Sequence, residues 1–359
     1  MPPRKRGRKG KAADDVAPAE DDRDYISTLP DDALEHILSF VPAQDAVRTC
    51  VLARRWRHVW KSAKGLHIIT PGSIEEVREF VDHLLLIRAG STIDTFELRT
   101  QEGMFDEEHA HVKLWIRHAL ACKAQALQFE IYGGSTMLEL WDVHLLFASQ
   151  HLTSLEFAYV RFTDCFLNFS SCPALQHLRI RKSEIFDAKR ISCQSLKHLS
   201  VTDCNSRRTF RTRIQAPNLA SLCLDEAFQR APGLSVAKNL SLLSKSSNTF
   251  IFRRDLTCCP TFSHLKNLLL NEYWCMPDVC ALACILEHSP VLEKLTLQLF
   301  SKGPKHQVEI KRNPNPKVIS AAMSQHLKIV EVKCEVVDDT VLNVLKFLSK
   351  HNMCFTFEE

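Results

Sequence analysis

Hydrophobic and polar positions change their spacing abruptly along this chain. Residues 1–21 carry almost no large apolar side chains. Such a segment cannot bury enough apolar surface to offset the entropy lost on folding, so it is expected to be a disordered tail of basic and acidic residues. From residue 22 to residue 62 apolar side chains recur every three or four positions, which predicts three short helices. The first is expected to begin at Pro30, because proline suits the first turn of a helix.

Helical spacing continues over residues 63–90. Apolar residues share one face of a helix that ends near Gly90, a residue that favours helix termination. Those positions are Ile74, Val77, Phe80, Val81, Leu84 and Leu85. The pattern predicts a connecting helix over 63–90.

The spacing changes again at Ile93, where the motif apolar-x-x-apolar-x-apolar begins to recur. Alternate residues of a strand point to opposite faces, so each copy predicts a strand with one buried face. The clear copies begin at Ile93, Ala124, Leu152, Leu175, Leu196, Leu219, Leu265, Leu292 and Leu327. The three steps from Leu152 to Leu219 are 23, 21 and 23 residues. These steps fall within the roughly 20–29 residues of leucine-rich repeats.

A gap of 46 residues separates the copies at Leu219 and Leu265. Either a degenerate copy around Leu240 and Leu243 fills this gap, or the segment 241–247 is a loop. The helical spacing between some strands, at 112–119 and 279–286, predicts helices on the convex side of a curved solenoid.

The end of the chain departs from the repeat pattern. Lysine, glycine, asparagine and proline over 301–316 predict an exposed loop. Residues 317–359 then predict a final unit with a strand at 327–334, a helix and a closing strand at 353–357. The predicted fold class is therefore α/β, with three short helices, a leucine-rich-repeat solenoid (a horseshoe) over 91–300, and a C-terminal strand–helix–strand unit.

Charge and composition limit the classes of partner. The 359 residues carry a formal charge of +4, which produces no strong field for nucleic acid or membrane over the body of the chain. Uninterrupted apolar runs are too short for a membrane helix, and the charged N-terminus does not resemble a signal peptide. We therefore expect a protein that remains inside the cell and has no membrane partner.

Cysteine usage favours reduced core thiols over disulfides or metal. The 14 cysteines are scattered through apolar segments without a CxxC pair, and Cys275, Cys280 and Cys284 lack zinc-finger spacing. His109 and His111 are more typical of an exposed helix start than of a metal site. Motifs for nucleotide binding, serine hydrolases and zinc proteases are absent from the sequence, so we expect no catalytic residue, no cofactor and no metal.

Two segments carry a family resemblance. Residues 29–40, LPDDALEHILSF, and residues 48–57, RTCVLARRWR, closely resemble the plant F-box. Ala53 stands where many relatives have serine, a small residue in either case. Residues 288–295, HSPVLEKL, lead into a C-terminal unit similar to the FBD module. The whole chain, apart from the tail and the loop, resembles the plant F-box/LRR/FBD family.

That resemblance implies a receptor subunit of a ubiquitin ligase. In this family the F-box, here residues 22–62, binds a Skp-type adaptor that bridges to cullin and RING subunits. The receptor itself performs no chemistry and holds an unknown target protein. An F-box protein that binds the adaptor without delivering a target, and so acts as a competitor, is an alternative that the sequence leaves open.

Adaptor-facing candidates follow from the match to the F-box motif. They are Leu29, Pro30, Leu34, Ile37, Leu38, Val51, Leu52 and Trp56. The alternative is that some of them only pack the three helices against one another.

Target-binding candidates are strand residues that point away from the buried positions. The outer row contains Arg99, Glu130, Arg181, Thr202, Asp225, Asn271, Gln298 and Lys333. The inner row contains Glu97, Arg179, Ser200, Thr296 and Glu331. Both rows mix charge signs, and neither contains an aromatic cluster. This composition favours a protein partner over nucleic acid.

The N-terminal tail concentrates positive charge. Arg4, Lys5, Arg6, Arg8 and Lys9 are typical of a nuclear-import signal, which predicts a protein of the nucleus and/or cytoplasm. Alternatives are an AT-hook-like contact with A·T-rich DNA, as in a nuclear scaffold protein, or a tail that only aids solubility.

Overall fold

The structure is a computed structural model of the chain, and it has a mixed α/β fold. It describes residues 26–88, 90–101, 108–132, 137–140, 143–163, 166–185, 188–204, 212–225, 233–234, 238–242, 261–274, 279–300 and 326–349. The predicted tail (1–21), the predicted loop (301–316) and the predicted closing strand (353–357) lie outside these residues.

Three short helices open the described chain. They are α1 (Asp31–Leu38), α2 (Ala43–Arg48) and α3 (Trp56–Ser62), and 3-10 turns lie at Ile26–Thr28 and Thr49–Val51. Pro30 has extended backbone at the N-cap of α1, in keeping with its restricted φ. Buried side chains of α1 and α3 pack together into a small core. The prediction of three short helices is confirmed.

One large parallel sheet follows these helices. Its strands are β1 (Gly65–Thr70), β2 (Thr95–Thr100), β3 (Ala126–Ile131), β5 (Ser154–Ala158), β8 (His177–Arg181), β10 (His198–Thr202), β12 (Ser221–Asp225), β14 (Asn239–Leu242), β15 (Asn267–Asn271), β16 (Lys294–Leu299) and β17 (Ile329–Cys334). Within the described residues these eleven strands lie side by side in chain order. Every adjacent pair is parallel, so each connection returns the chain to the same end of the sheet.

The strand register stacks equivalent residues of the repeated motif. Phe96 pairs with Leu127, and Leu127 with Leu155, so the second apolar position forms one continuous buried column. The third apolar position forms a second column, in which Phe129 stacks on Phe157 with ring centroids 6.0 Å apart. All nine motif copies predicted from the sequence lie on strands of this sheet.

Two strands of the sheet correct the sequence interpretation. The prediction of a connecting helix over 63–90 is wrong for its first part, because β1 occupies 65–70 and only the second part is helical. Ala63, Leu66 and Ile68 are buried and form a further copy of the motif. The sheet therefore begins at residue 65 and not at residue 91. In the gap before β15, the strand β14 buries Leu240, as the degenerate-copy alternative predicted, but its second buried leucine is Leu242 and not Leu243. Residues 243–247 of the alternative loop lie outside the described residues.

Connections between the strands are of two kinds. Helices α4 (Ile74–Ile87), α5 (Glu108–Ala121), α6 (Val143–Leu146), α7 (Cys280–Glu287) and α8 (Asp339–Ser349) occupy the outer repeats. Short strands occupy the central repeats: β4 (Leu138–Leu140) pairs with β6 (Val160–Phe162), and β7 (Phe166–Asn168), β9 (Arg190–Ser192), β11 (Arg213–Gln215) and β13 (Gly233–Leu234) form a second parallel sheet. Only 16 to 18 residues separate β5, β8, β10 and β12, whereas 25 separate β2 and β3. The central connections are thus too short for the long helices found earlier in the chain.

The C-terminal unit continues the large sheet. Strand β17 pairs with β16 over its whole length, and Leu297 lies opposite Val332 in the same apolar column. The predicted helix of this unit is α8, which buries Val341, Val344 and Leu348 against the common core.

Candidate functional site

The start of α1 is held by Arg55, which lies just before α3. Its Nε donates a hydrogen bond to Asp31 Oδ1 at 2.6 Å, and its Nη2 donates to the carbonyl oxygen of Leu29. The acidic first turn of α1 also suits the positive end of the helix dipole. Leu29 is half-buried and Pro30 is exposed, so these two adaptor candidates differ in their access to a partner.

Three of the eight adaptor candidates are buried inside the chain itself. Leu34 is 0% exposed, Leu38 is 3% exposed and Trp56 is 9% exposed. They belong to the core that joins α1, α2 and α3. For these three the structure favours the packing alternative, because a side chain that already fills the core is not available to a partner.

Other apolar side chains of the same segment are exposed. Ile37 is 45% exposed, Val51 is 82% exposed and Leu52 is 68% exposed. The sequence interpretation missed Phe40, 71% exposed, and Ile26, 56% exposed. We call these five residues the F-box apolar set. Phe40 lies three residues after Ile37, so the helical spacing of the apolar positions could have identified it as an adaptor candidate.

The end of α1 is joined to the first strand of the sheet. The backbone N–H of Lys64 donates to Ser39 Oγ at 2.8 Å, and the Nε2 of His67 lies 2.8 Å from the Ser39 carbonyl oxygen. Gly65 lies so close that a Cβ placed there would meet the same carbonyl oxygen at 1.9 Å. Glycine is therefore required for this approach.

A groove of about 560 Å³ lies beside this junction. Its charged and titratable lining residues are Asp32, Glu35, His36, Lys64, His67 and Asp94. Lys64 Nζ lies 3.9 Å from Asp94 Oδ2, so part of this charge is paired.

A second link joins α3 to α4. The guanidinium of Arg88 is buried and donates hydrogen bonds to the carbonyl oxygens of Trp60, at 3.1 Å, and Ala63, at 2.6 Å. Burial lowers the pKa of Arg88 from its ordinary value. The two links thus connect the end of α1 to β1, and the end of α3 to α4.

The strand register brings the predicted target candidates into two rows. Arg99 pairs with Glu130, Arg181 with Thr202, and Thr202 with Asp225, which forms the outer row. Asn271, Gln298 and Lys333 continue it on β15, β16 and β17. In the inner row Arg179 pairs with Ser200, and Thr296 with Glu331. The structure therefore places these residues in common rows, and their contact with a target stays a prediction.

Charges in the first strands neutralise one another. Glu97 accepts from His67 Nδ1 at 2.7 Å and lies 2.7 Å from Arg99 Nη2. Arg99 Nε lies 3.2 Å from Glu130. The hydrogen bond from His67 is the main cause that lowers the pKa of Glu97, and the same bond raises the pKa of His67.

A second charged group lies on the last strands. Glu331 is within 3.0 Å of Lys294 Nζ and 3.1 Å of Lys333 Nζ. Hydrogen bonds from these two lysines lower the pKa of Glu331 to about 2. Both ends of the rows therefore carry internally paired charge.

The sequence interpretation missed an aromatic pair at the end of β3 and β5. The rings of Tyr132 and Tyr159 meet edge to face with centroids 4.9 Å apart. Lys182 Nζ, just after β8, donates to Tyr159 Oη at 2.9 Å. Both tyrosines directly follow a strand, and so they lie outside the rows that alternation within the strands defines.

Four of the eight free cysteines among the described residues are buried, and the other four are partly exposed. Cys122, Cys172, Cys193 and Cys204 are free and buried, as predicted. Burial raises the pKa of Cys172 to about 11 and that of Cys204 to about 12, which disfavours the nucleophilic thiolate. Within the described parts of the chain no three His, Cys, Asp or Glu side chains are grouped so as to hold a metal ion. Among the same residues no helix is long and apolar enough to span a bilayer.

Comparison with known proteins connects this geometry to a family. The model of the F-box domain matches residues 26–67, which contain α1, α2 and α3. An F-box/FBD/LRR-repeat protein of Arabidopsis thaliana is 28% identical over 218 residues, which cover 59% of this chain and 51% of the relative. A putative FBD-associated F-box protein from the same plant is 28% identical over 234 residues, covering 56% of this chain and 54% of the relative.

A third relative aligns over more of the chain. F-box/LRR-repeat protein 13 of Arabidopsis thaliana is 26% identical over 291 residues, which cover 71% of this chain and 64% of the relative. The chain spans about half the length of the first two relatives. The matched F-box and the F-box/LRR and FBD relatives agree with the resemblance seen in the sequence. The chain therefore carries a segment that matches the F-box domain, and it is similar to F-box/LRR and FBD proteins of plants.

Proposed function

We propose that this chain is the substrate-recognition subunit of a Skp–cullin–F-box ubiquitin ligase. One observation carries the proposal: the segment matched by the F-box model exposes large apolar side chains that its own core does not use. Exposed apolar residues concentrated in one small module are typical of a protein-binding surface. Val51 and Leu52 are the most exposed large apolar side chains among the predicted adaptor candidates. We expect these two side chains to contact the adaptor.

The receptor contributes proximity and no chemistry of its own. Ubiquitin passes from a thioester on another subunit to a lysine of the captured protein, so the receptor raises the effective concentration of that lysine. Tethering of this kind commonly gives effective concentrations of about millimolar. The two links through His67 and Arg88 support this role, because they join α1 to β1 and α3 to α4 and so hold the adaptor-binding module against the rest of the chain.

In this proposal the parallel sheet is the inner layer of a leucine-rich-repeat solenoid. Its strands line the concave face, and the outer and inner rows face the target protein. Residues 317–359 form an FBD-like unit at the end of the solenoid. Mixed charge along the rows favours a folded or extended protein partner over nucleic acid.

Localisation to the nucleus and/or cytoplasm is part of the same proposal. The basic residues Arg4, Lys5, Arg6, Arg8 and Lys9 act as an import signal. Deletion of residues 1–11 from a fluorescent fusion is expected to shift the protein from the nucleus to the cytoplasm without loss of adaptor binding.

The test is co-purification of the full chain with a plant Skp-type adaptor. We expect a stoichiometric complex for the wild type and for Leu86→Glu, a control in which an equally exposed apolar residue of α4 is changed. The double variant Val51→Glu/Leu52→Glu is expected to lose the adaptor. Each change affects exposed side chains, so folding is preserved and can be verified by circular dichroism.

Two outcomes would overturn the proposal. One is failure of the wild type to bind the adaptor, and the other is equal binding by wild type and the Val51→Glu/Leu52→Glu variant. In the first case, binding to A·T-rich DNA that depends on Arg6 and Arg8 would support the scaffold alternative.

A further inference from the structure

A cluster of three side chains stands at the ends of three neighbouring strands. Tyr132 directly follows β3, Tyr159 directly follows β5 and Lys182 directly follows β8. We call these three residues the rim cluster. Tyr132 packs edge to face on Tyr159, and the Lys182 ammonium lies 5.2 Å from the centre of the Tyr159 ring while donating to its hydroxyl. The ring of Tyr132 is nevertheless about half exposed, at 53%.

The backbone at this edge adopts an unusual conformation. Tyr159 has φ of 60° and Lys182 has φ of 47°, both in the left-handed region. Their N–H groups donate to the carbonyl oxygens of Arg181 and Thr202, which holds the turn in each repeat. Glycine would satisfy such a turn without steric cost, whereas tyrosine and lysine are disfavoured there. Asp203, which directly follows β10, has φ of 52°, so this turn recurs at the ends of three neighbouring strands and places the three side chains at equivalent positions.

Positive charge accumulates beside the rim cluster. Arg179 and Arg181 on β8 share one carboxylate, Glu156, at 3.1 and 2.5 Å. Lys182 forms no ion pair within 4.0 Å among the described residues. Its hydrogen bond to Tyr159 is the main cause that raises its pKa, so the ammonium is retained. Glu156 is thus the ion-pair partner of both arginines, while Asp203 and Glu130 act on Lys182 from a longer distance and also raise its pKa. On β2 and β3, by contrast, one arginine lies between two carboxylates.

We propose that the rim cluster, together with Arg179 and Arg181, is the contact site for an acidic, extended segment of the target protein. Carboxylates of that segment pair with the arginines and Lys182, and an apolar side chain packs on the Tyr132–Tyr159 pair. Charge complementarity favours an acidic partner. The guanidinium groups of Arg179 and Arg181 already pair with the carboxylate of Glu156, which shows that they are placed to bind a carboxylate. Tyrosine and arginine are also the residue types that dominate protein-binding hot spots. This inference rests on the proposed receptor function.

The probe is a random-peptide display library selected on the full chain. We expect recovered peptides to be enriched in Asp and Glu near an apolar residue. A synthetic peptide made from the leading sequence is expected to lose affinity at least about tenfold for Lys182→Glu and for Tyr132→Ser, as hot-spot residues do. Lys346→Glu makes the same charge change at an exposed lysine of α8, outside both rows, and is the matched control, with affinity expected to stay within about twofold.

Several results would overturn the inference. Recovery of neutral or basic peptides, or equal loss of affinity for Lys182→Glu and Lys346→Glu, removes the acidic-segment site. Displacement of the leading peptide by inorganic phosphate at matched ionic strength would identify a small-anion site instead. Thermal unfolding of all three variants is expected to match the wild type, because the changed side chains are exposed or half-exposed.

Adaptor binding by the same variants separates this inference from the proposed function. Lys182→Glu and Tyr132→Ser are expected to retain the adaptor. A chain that binds the adaptor but selects no acidic peptide refutes the rim site alone. A chain that selects acidic peptides at Lys182 but never binds the adaptor refutes the ligase role and leaves the rim site standing.

Discussion

The imidazole of His67 on β1 bridges the carbonyl oxygen of Ser39, at the end of α1, and the carboxylate of Glu97 on β2. Its Nε2 lies 2.8 Å from Ser39 and its Nδ1 lies 2.7 Å from Glu97. A carbonyl and an ionised carboxylate both only accept hydrogen bonds, so the imidazolium, with a proton on each nitrogen, satisfies both partners. This link between the end of α1 and the first two strands therefore depends on the charge of His67.

This dependence predicts a loss of stability as the pH rises. Because the folded pKa of His67 is raised above its ordinary value of 6.5, its contribution is fully present below that pH and is lost as pH rises through the folded pKa. Glu97 has a lowered pKa, so its contribution is lost only as pH falls below its ordinary value of 4.5 and through the folded pKa. Wild type should exceed His67→Gln in unfolding free energy by about 1–2 kcal/mol near pH ~6, and by less near pH ~9.

Urea unfolding at a series of pH values measures this difference. His58→Gln, a change of an exposed histidine on α3, is the control and is expected to show no such trend. A difference between wild type and His67→Gln that stays constant or grows with pH would contradict the assigned charge.

The close approach of Ser39 to Gly65 predicts a steric effect at the same junction. Gly65→Ala places a Cβ 1.9 Å from a backbone oxygen, which cannot move without shifting α1. We expect a loss of about 1–3 kcal/mol in unfolding free energy, the usual range for overpacking. Gly72→Ala is the control, because the Cβ there would meet only the carboxylate end of Glu76, which is free to rotate away. Equal effects of the two changes in urea unfolding would refute the tight junction.

The second link, through Arg88, predicts a loss of comparable size. Arg88→Ala leaves the buried carbonyl oxygens of Trp60 and Ala63 without their donors, at a cost of about 2–3 kcal/mol. Arg117→Ala removes an exposed arginine from α5 and is expected to change stability by less than about 0.5 kcal/mol. Thermal unfolding midpoints of the two variants test this prediction, and coincident midpoints would exclude a structural role for Arg88.

Much of the sheet could be predicted because the motif that specifies a strand is local. Copies such as Leu152–Phe157 place three apolar side chains where a strand must bury them, and the register follows when equivalent positions stack. Strand β1 was not predicted, because Gly65 and His67 weaken the alternation of apolar and polar residues there. A clear helical face at Ile74–Leu85 also follows it closely.

Periodicity was less informative about the functional surface. It identifies Leu34, Ile37, Val51 and Trp56 equally as apolar helix positions, but cannot show which of them fill the core of their own chain and which remain exposed. That division depends on how α1, α2 and α3 pack, which is a tertiary property. The pairing of Tyr132 with Tyr159 depends in the same way on strands that are adjacent in space.

Hydrogen–deuterium exchange of the full chain, with and without a Skp-type adaptor, tests the central claim most directly. We expect the adaptor to slow exchange in peptides of residues 26–62, which carry Ile37, Val51 and Leu52. Exchange at the strand ends near Tyr159 and Lys182 should stay unchanged, because this edge of the sheet remains open to a target. Unchanged exchange over 26–62, or adaptor protection that falls on the strand rows, would contradict it.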